Sequence, residues 1–462
     1  MKKISVIAIF DIGKTNKKLL LFNEQYQLLY EESKQFEEIK DEDNFACEDV
    51  NALTGWIKDS FKLLLKDERY DIRAINFSAY GASFVYLNEQ LKVFLPLYNY
   101  LKPCSPQLKE KFYAAYGGES AFAKQTASPV LGNLNSGMQL YSLKYEKPQT
   151  FSAIQYALHL PQYLSFIFTR KLSSDITSIG CHTNLWNFKN NKYHPWVAKE
   201  GVLAKLAPVK NSDDVAGYVN ENIAVGIGLH DSSAALIPYL ISFNEPFILL
   251  STGTWCITLN PFNHSELSDE ELQQDCLCYL SYQGKPVKAS RLFAGYEHEQ
   301  QTKNIAAHFS KPLDYYKTVQ YDFNIVQKIK RVNKKSADKA KDAMLQQSAF
   351  GARELRQFAG YEAAYHQLIA DIVEQQIKST DLVLKESAVK RIFVDGGFSN
   401  NPVYMNLLAE AFTGIEVYAA SVPQASALGA ALAIHHHWNN NLLPTDIIEL
   451  KYYSSKHETL KH

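Results

Sequence analysis

The stretch VGIGLHDSSAALIPYLISFNEPFILLSTGTWCITL, residues 225–259, decides the fold of this chain. In its first half, Asp231 precedes a run of small residues, which indicates a helix that begins near this acid. In its second half, an apolar run breaks at Ser251-Thr252-Gly253-Thr254 and then resumes, a pattern typical of two strands joined by a tight turn. Because backbone N–H groups in such a turn can bind an anion, the stretch places one acid beside one phosphate-sized loop.

Asp231 has two interpretations. Asp is a preferred helix N-cap, and caps far outnumber catalytic acids, so the residue taken alone favours a cap. The other interpretation is a general base at the mouth of a cleft, beside hydroxyl- and glycine-bearing loops that can hold a polyphosphate. The rest of the chain has to decide between them.

The length and charge of the chain narrow the class of protein. A chain of 462 residues exceeds the size at which a single core stops growing, so two domains are expected. The 48 basic and 49 acidic residues nearly cancel, and we expect neither a nucleic-acid partner nor a polybasic membrane contact. The first apolar run ends at Asp11, too early for a signal peptide, and no uncharged stretch has transmembrane length. We therefore expect a cytoplasmic protein.

The six cysteines are scattered along the sequence, with a single C-x-C at 276–278. This spacing indicates neither a zinc knuckle nor a disulfide framework. The three consecutive histidines 435–437 close an apolar helix, where cationic residues suit the helix dipole, and metal binding there is the less favoured interpretation. The basic segment 328–341 is interpreted as a solvated helix face or mobile loop.

The chain carries an internal duplication. A strand, a turn and a returning strand open the chain at 4–22, and the same order recurs at 247–260, with the turn glycines Gly13 and Gly253 240 residues apart. Later strands at 72–80 and 391–395 both end at glycine, and helical patterns cover 51–66 and 351–386. This order predicts an α/β protein of two domains, residues 1–243 and 244–450, with a polar tail at 451–462.

Two further turns can contact phosphate or a flat ligand. Gly13-Lys14-Thr15 does not fit a Walker A motif, which requires glycine where this chain has Ala8. Asp11 can hold Mg²⁺ directly or through water, while Lys14 can neutralise phosphate charge, although the hairpin is equally typical of a structural turn. At 394–402, a strand leads through Gly-Gly into a helix that begins near Pro402, and the two glycines permit close approach of a flat ligand.

In this order the motifs resemble the FGGY family of carbohydrate kinases, related to actin, hexokinase and the heat-shock chaperone ATPases, and within it the rhamnulokinase-like branch. The resemblance covers nearly the whole chain. It rests on five stretches: DIGKTNKK (11–18), SIGCHTNLWNFKNNKYHPW (178–196), LHDSSAAL (229–236), LLSTGTWCITL (249–259) and the segment from GGFSNN to the helix at 396–433.

The resemblance implies two duplicated actin-like (ribonuclease H-like) domains, each a mixed sheet flanked by helices, with a cleft between them. It also implies ATP and Mg²⁺ as cofactors, Asp231 as general base and Asp11 as the Mg²⁺ residue. The remaining residues expected at the nucleotide are Gly13, Lys14, Thr15, Thr252, Gly253 and Thr254 for phosphate and Gly396, Gly397 and Asn401 for adenosine.

The expected substrate is a small sugar. Ser83 stands where rhamnulokinases tend to carry an acid, and PLYNYLKP (96–103) lacks the usual Asp-Arg pair, so we expect Ser83, Asn99, Tyr100 and His230 to contact it. Neutral groups beside several tyrosines favour a sugar with a methyl terminus, a 6-deoxy-ketose such as L-rhamnulose or L-fuculose. The alternatives are a pentulose or polyol kinase (xylulose, ribulose, glycerol) and a non-catalytic actin-like ATP-binding module, and a homodimer is left open.

Overall fold

The computed structural model describes residues 3–336, 349–385, 387–422 and 424–454. The strands of the first half are β1 Ile4–Ile12, β2 Lys17–Asn23, β3 Leu28–Lys34, β4 Ile39–Lys40, β5 Ala46–Cys47, β6 Tyr70–Ala79, β7 Phe84–Leu87, β8 Tyr156–His159, β9 Ser174–Asp175, β10 Trp186–Asn187, β11 Lys192–Tyr193, β12 Val209–Lys210, β13 Val215–Val219, β14 Ile223–Gly226 and β15 Leu229–His230. Those of the second half are β16 Phe247–Thr252, β17 Cys256–Asn260, β18 Cys276–Leu280, β19 Pro286–Leu292, β20 Arg391–Gly396, β21 Glu416–Ser421 and β22 Glu449–Tyr453.

The helices lie between these strands. They are α1 Val50–Lys66, α2 Pro106–Ala115, α3 Glu119–Thr126, α4 Ser136–Glu146, α5 Pro148–Ala153, α6 Leu160–Thr169, α7 Ile176–Ile179, α8 Pro195–Lys199, α9 Asp231–Ser242, α10 Asp269–Gln273, α11 Ala294–His308, α12 Phe323–Ser336, α13 Tyr361–Leu384, α14 Pro402–Ala411 and α15 Ala425–Ala433. Within the described ranges, no helix is both long and apolar enough to cross a lipid bilayer.

The two large sheets repeat one arrangement. The first has the order β13-β14-β6-β1-β2-β3, and the second has the order β18-β19-β17-β16-β20-β21-β22. In the first, β1 is antiparallel to β2 and parallel to β6. In the second, β16 is antiparallel to β17 and parallel to β20. The predicted duplication and the predicted mixed sheets are confirmed.

Strand β1 extends past the apolar run to Ile12, and this matters for the site. Its apolar run is buried almost throughout, as expected for a strand covered on both faces. The ladder continues through Asp11, which lies opposite Lys18 on β2 and Ser78 on β6. Asp11 is therefore held by strand pairing rather than by a mobile turn.

Helices α9 and α15 join the two halves. A Cβ on Gly429 of α15 would lie 1.8 Å from the carbonyl oxygen of Ala234 on α9, so only glycine permits this crossing. The amide of Asn76 on β6 donates to the carbonyl oxygen of Ala430 at 2.8 Å. One buried apolar cluster contains residues of β1, α9, β16 and α15, so this helix pair packs against strands of both large sheets.

Three expectations differ from the structure or extend beyond it. The helix predicted over 351–386 begins only at Tyr361, because the preceding segment forms short 3-10 turns. In that segment Arg353 pairs with Asp371 of the helix at 2.7 Å. Residue 386 is outside the described residues. The basic segment is helical as far as Ser336, and its remainder also lies outside them. Strand β22 takes residues 451–453 of the expected polar tail into the second sheet.

The histidine triplet forms a 3-10 turn. His435 is buried, and its Nδ1 lies 2.6 Å from the Tyr26 hydroxyl while its Nε2 lies 2.8 Å from the carbonyl oxygen of Asn441. Both ring nitrogens of this residue are therefore engaged in hydrogen bonds.

Candidate functional site

Asp231 is the first residue of α9 and is not its cap. The N-cap is His230, whose side chain makes no capping hydrogen bond. The Asp231 Oδ1 accepts hydrogen bonds from the Ser232 backbone N–H at 2.6 Å and from the Ser232 hydroxyl at 3.2 Å. Its side chain is 35% exposed, so the carboxylate keeps access to solvent at the start of the helix. The cap interpretation is therefore wrong.

The two acids of the site influence each other. Burial raises the pKa of Asp231 to about 6, against the lowering effect of its bonds to Ser232. Burial also raises the pKa of Asp11 to about 6; the hydrogen bond from Ser426 lowers that pKa, and the charge of Asp231 raises it. Strand β1, helix α9 and helix α15 thus bring two carboxyl groups together. A carboxylate with a pKa near 6 is ionised at neutral pH and is a stronger base than an ordinary Asp.

Neutral imidazoles lie around His230, the residue next to Asp231. The His230 Nε2 lies 3.3 Å from the Asp231 Oδ1, and burial lowers the pKa of His230 to about 4. Burial lowers the pKa values of His159 and His182 to about 3, and His230 contributes to both shifts. The His230 ring also lies 5.4 Å from the Tyr279 ring. The predicted substrate residue His230 therefore adjoins the predicted base, in a neutral environment.

The other residues predicted to contact the sugar are Tyr100, Ser83 and Asn99. Burial raises the pKa of Tyr100, and the charges of Lys14 and Asp231 also act on it, so this ring lies on the Asp231 side. The Ser83 hydroxyl is buried and has no hydrogen-bond partner in the described part of the chain. The Asn99 Oδ1 accepts from the Leu101 N–H at 3.0 Å and closes a turn, and the contact of Asn99 with a sugar stays a prediction.

Glu48 is a buried acid that the sequence did not reveal. Its carboxylate lies 3.2 Å from the Nζ of Lys14 and 3.2 Å from the Nζ of Lys17. The Lys14 ammonium also lies 3.2 Å from Glu38. Nothing in the polar stretch around Glu48 marks it as buried, because its environment comes from a bridge to Leu97. Lys14 is thus held by two carboxylates, and the phosphate contact predicted from the sequence would have to break both ion pairs.

The turn after β16 is tied to the Gly-Gly turn after β20. The Thr252 hydroxyl donates to the Asp395 carbonyl oxygen at 2.5 Å and accepts from the Phe398 N–H at 3.0 Å. Gly396 has φ +87°, and a Cβ on it would lie 2.0 Å from the Thr252 carbonyl oxygen. The two predicted nucleotide motifs therefore form one rigid unit that requires glycine at 396.

These turns open onto a cavity of about 620 Å³. Its walls include the predicted residues Thr252, Gly253, Thr254, Gly397 and Asn401. They also include Phe398, which belongs to the predicted adenosine segment, and residues that the sequence did not reveal, among them Gly295, His298, Tyr316 and Tyr365. The volume is typical of a small-molecule site. A larger cavity of about 810 Å³, between α12 and the segment 352–367, contains none of the predicted site residues.

Aromatic rings and an amide form the wall of the 620 Å³ cavity. The His298 ring packs edge-on against Tyr316 and Phe398, with centroids 5.1 and 5.2 Å apart. The Asn401 Nδ2 donates to the Tyr365 hydroxyl at 3.0 Å, while its Oδ1 caps α14. Flat rings beside the Gly-Gly turn can pack against a planar base.

Asp11 fits the requirements of a Mg²⁺ residue. Mg²⁺ is held by one or two carboxylates together with substrate phosphates and water. Asp11 offers a carboxylate fixed by the Ser426 hydroxyl at 2.8 Å, with Asp231 close enough to change its pKa. Gly13 and Thr15 belong to the adjoining turn, in which the Gly13 N–H donates to the Asn16 carbonyl oxygen at 2.9 Å.

Comparison with protein families identifies the family to which the chain belongs. Residues 6–235 match the FGGY family of carbohydrate kinases, N-terminal domain, and residues 244–441 match the carbohydrate kinase FGGY, C-terminal domain. The chain therefore belongs to the FGGY family of carbohydrate kinases. The duplicated, actin-like architecture expected from the sequence is that of this family.

Individual relatives are distant. A probable L-xylulose kinase of Pasteurella multocida is 27% identical over 316 residues, which cover 63% of this chain and 61% of that protein. A rhamnulokinase of Oceanobacillus iheyensis is 21% identical over 268 residues, 54% of each. The alignments thus span between about half and three fifths of these relatives' lengths. The crystal structure of ligand-bound xylulose kinase from Lactobacillus acidophilus superposes with a TM-score of 0.79 over 98% of this chain and 94% of that one, at 16% identity, a likeness of fold.

Proposed function

We propose that the protein is an ATP- and Mg²⁺-dependent kinase that transfers the γ-phosphate to a primary hydroxyl of a ketose. The observation that carries the proposal is that Asp231, at the start of α9, lies close enough to Asp11 on β1 for its charge to raise the pKa of Asp11. Two carboxyl groups, each with a pKa of about 6, come together from α9 and β1, in a chain whose second half offers a nucleotide-sized cavity. A binding module has no need of an acid at this position.

Asp231 acts as the general base. It takes the proton of the attacking hydroxyl while that oxygen approaches the γ-phosphorus in line with the leaving oxygen of ADP. Bound Mg²⁺, held through Asp11, would neutralise charge on the phosphate oxygens. His230, 3.3 Å from Asp231, orients the carboxylate without adding charge.

The second half, residues 244–450 in this proposal, binds the nucleotide. The Thr252 hydroxyl is occupied by Asp395 and Phe398, so the exposed backbone of Gly253 and Thr254 is left for the γ-phosphate. Gly397 and Asn401 line the adenosine pocket, and the aromatic wall of the cavity packs on the base. Gly396 does not line this cavity and acts by fixing the turn against the Thr252 carbonyl oxygen.

The first half, residues 1–243, binds the sugar. His230, Ser83 and Tyr100 supply neutral polar groups, and the Tyr80 and Tyr100 rings lie 6.0 Å apart. Such a surface suits a methyl-bearing sugar, and we propose L-rhamnulose or L-fuculose as the acceptor. The name of the Pasteurella relative favours L-xylulose instead, which makes a pentulose the second candidate.

A coupled assay of ADP release over a sugar panel tests the proposal. The panel contains L-rhamnulose, L-fuculose, L-xylulose, D-xylulose, D-ribulose and glycerol, each with ATP and Mg²⁺. We expect the highest kcat/KM for a 6-deoxy-ketose, with pentuloses slower by about tenfold or more, because one methyl discriminates by roughly 1–3 kcal/mol. A pentulose or glycerol above both deoxy sugars would overturn the substrate choice. ADP release that no sugar stimulates would overturn the kinase.

A further inference from the structure

Three soft metal ligands meet beside the proposed base. Cys181, His182 and His230 each offer one ligand atom, and the three atoms lie within 4.8 Å of one another. All three residues are buried. Cys181 and His182 follow α7, whereas His230 directly precedes α9, so the cluster forms only in the folded chain. The spacing of the cysteines along the sequence gives no sign of it.

The orientation of the two imidazoles leaves nitrogen lone pairs for a ligand. The His182 Nδ1 lies 2.9 Å from the carbonyl oxygen of Leu134, and since a carbonyl can only accept, the proton is on Nδ1 and the lone pair on Nε2. A backbone carbonyl that orients the imidazole in this way is typical of metal-binding histidines. The His230 Nε2 faces Asp231, so a metal shared with that carboxylate binds Nε2, and the ring proton then sits on Nδ1, which is buried and has no hydrogen-bond partner within the described residues.

We propose that Cys181, His182 and His230 form a binding site for Zn²⁺. Asp231, 3.3 Å from the His230 Nε2, is placed to supply the fourth ligand. Tetrahedral bonds of about 2.0–2.3 Å put ligand atoms roughly 3.3–3.8 Å apart, so the side chains close in by about 1 Å on binding. Thiol and imidazole ligands select Zn²⁺ over Mg²⁺, which prefers oxygen.

The charges around the cluster are compatible with a divalent cation. Asp231 adds one negative charge, and the nearby Arg291 is paired with Asp275 at 2.6 Å. Burial raises the pKa of the Cys181 thiol to about 12, so Zn²⁺ displaces that proton to solvent as the Zn–S bond forms. In this way a kinase that uses Mg²⁺ also holds a separate site for a thiophilic metal.

The consequence for catalysis rests on the proposed function. If Asp231 and His230 face the acceptor, Zn²⁺ bound to them occupies the sugar site. It then inhibits in competition with the sugar and not with ATP. Metal binding itself does not depend on this assignment.

Titration of the full-length protein with Co²⁺, without nucleotide or sugar, tests the site. We expect one equivalent of Co²⁺ to give a near-ultraviolet thiolate-to-cobalt absorption band, and Zn²⁺ to abolish it. Cys181→Ser should lose the band, and His182→Gln should weaken Co²⁺ binding by about tenfold or more. Cys104→Ser is the matched control, because Cys104 is a partly exposed thiol outside the cluster, and it should keep the band.

Absence of the band in the wild-type protein would overturn the proposal. So would equal Co²⁺ affinity in Cys181→Ser, His182→Gln and Cys104→Ser, which would mean adventitious binding only. Assays at buffered free Zn²⁺ then test the consequence. A band without competition against sugar would overturn the placement of the metal in the acceptor site, whereas failure of all sugars as substrates would overturn the proposed function and leave the Co²⁺ result to stand alone.

Discussion

The Ser426 hydroxyl donates a 2.8 Å hydrogen bond to the Asp11 carboxylate, linking a helix late in the sequence to the first strand. This bond lowers the pKa of Asp11 against the effect of burial. Ser426→Ala should therefore make Asp11 harder to ionise and raise the Mg²⁺ concentration for half-maximal activity severalfold. Ser173→Ala, which removes a buried hydroxyl without a hydrogen-bond partner in the described residues, is the control. Equal Mg²⁺ dependence in both variants would contradict the metal role of Asp11.

The shared pKa of about 6 predicts how activity depends on pH. Asp231 accepts a proton only when ionised, so the active fraction rises with pH through about 6 and is lost below it. With a pKa of 6, about nine tenths of the carboxylate is ionised at pH 7 and about one tenth at pH 5. We expect kcat/KM to fall at least tenfold between these two values, because Asp11, whose pKa is also about 6, must be ionised as well to hold Mg²⁺. A profile that is flat from pH 7 to pH 5 would remove Asp231 as the base.

Gly396 tests whether the two nucleotide turns form one unit. Its φ of +87° and the 2.0 Å approach to the Thr252 carbonyl oxygen leave no room for a side chain. Gly396→Ala should cost about 1–3 kcal/mol of unfolding free energy and weaken ATP binding. Gly397→Ala is the matched control for stability, because its Cβ would lie 3.9 Å from the same oxygen. Thermal unfolding of both proteins checks the difference, and equal midpoints would contradict it.

A variant of Lys14 tests whether the first turn contacts phosphate through a side chain. Its ammonium is bound to Glu38 and Glu48, and a phosphate contact would have to break these ion pairs. We therefore expect Lys14→Ala to change ATP affinity by less than about twofold. Calorimetry with ATP measures this directly. A tenfold loss would restore the phosphate contact that the sequence predicts.

The turns and helix starts of this molecule could be predicted from its sequence, whereas contacts between residues far apart in the sequence could not. The hairpins at Gly13 and Gly253 and the start of α14 at Pro402 are encoded by adjacent residues, and they were predicted close to where they lie. Glu48 and Gly295 were missed because their roles come from distant neighbours, Leu97 in one case and the turn at Gly253 in the other.

The same distinction explains the errors at the site. The cap interpretation of Asp231 arose because the sequence His230-Asp231 does not show which of the two residues is the N-cap. In the structure His230 is the N-cap and Asp231 is the first residue of the helix. The turn hydrogen bond from the Leu101 N–H to the Asn99 oxygen was not expected, and the contact of Asn99 with the sugar stays a prediction. Tyr316 and Tyr365 reach the 620 Å³ cavity from separate segments, a juxtaposition that only the fold creates.

The central claim is that Asp231 is the general base, and Asp231→Asn tests it most directly. Asn can still accept the Ser232 N–H, and His230 remains the cap, so the fold and ATP affinity should be unchanged. Sugar phosphorylation should fall by about 10²–10⁴-fold, the contribution of a positioned base. The measurement is single-turnover phosphorylation of the best sugar of the panel by both proteins, with ATP binding followed by calorimetry. Loss of phosphorylation with intact ATP binding is the predicted result, and near-normal turnover by Asp231→Asn would contradict the account.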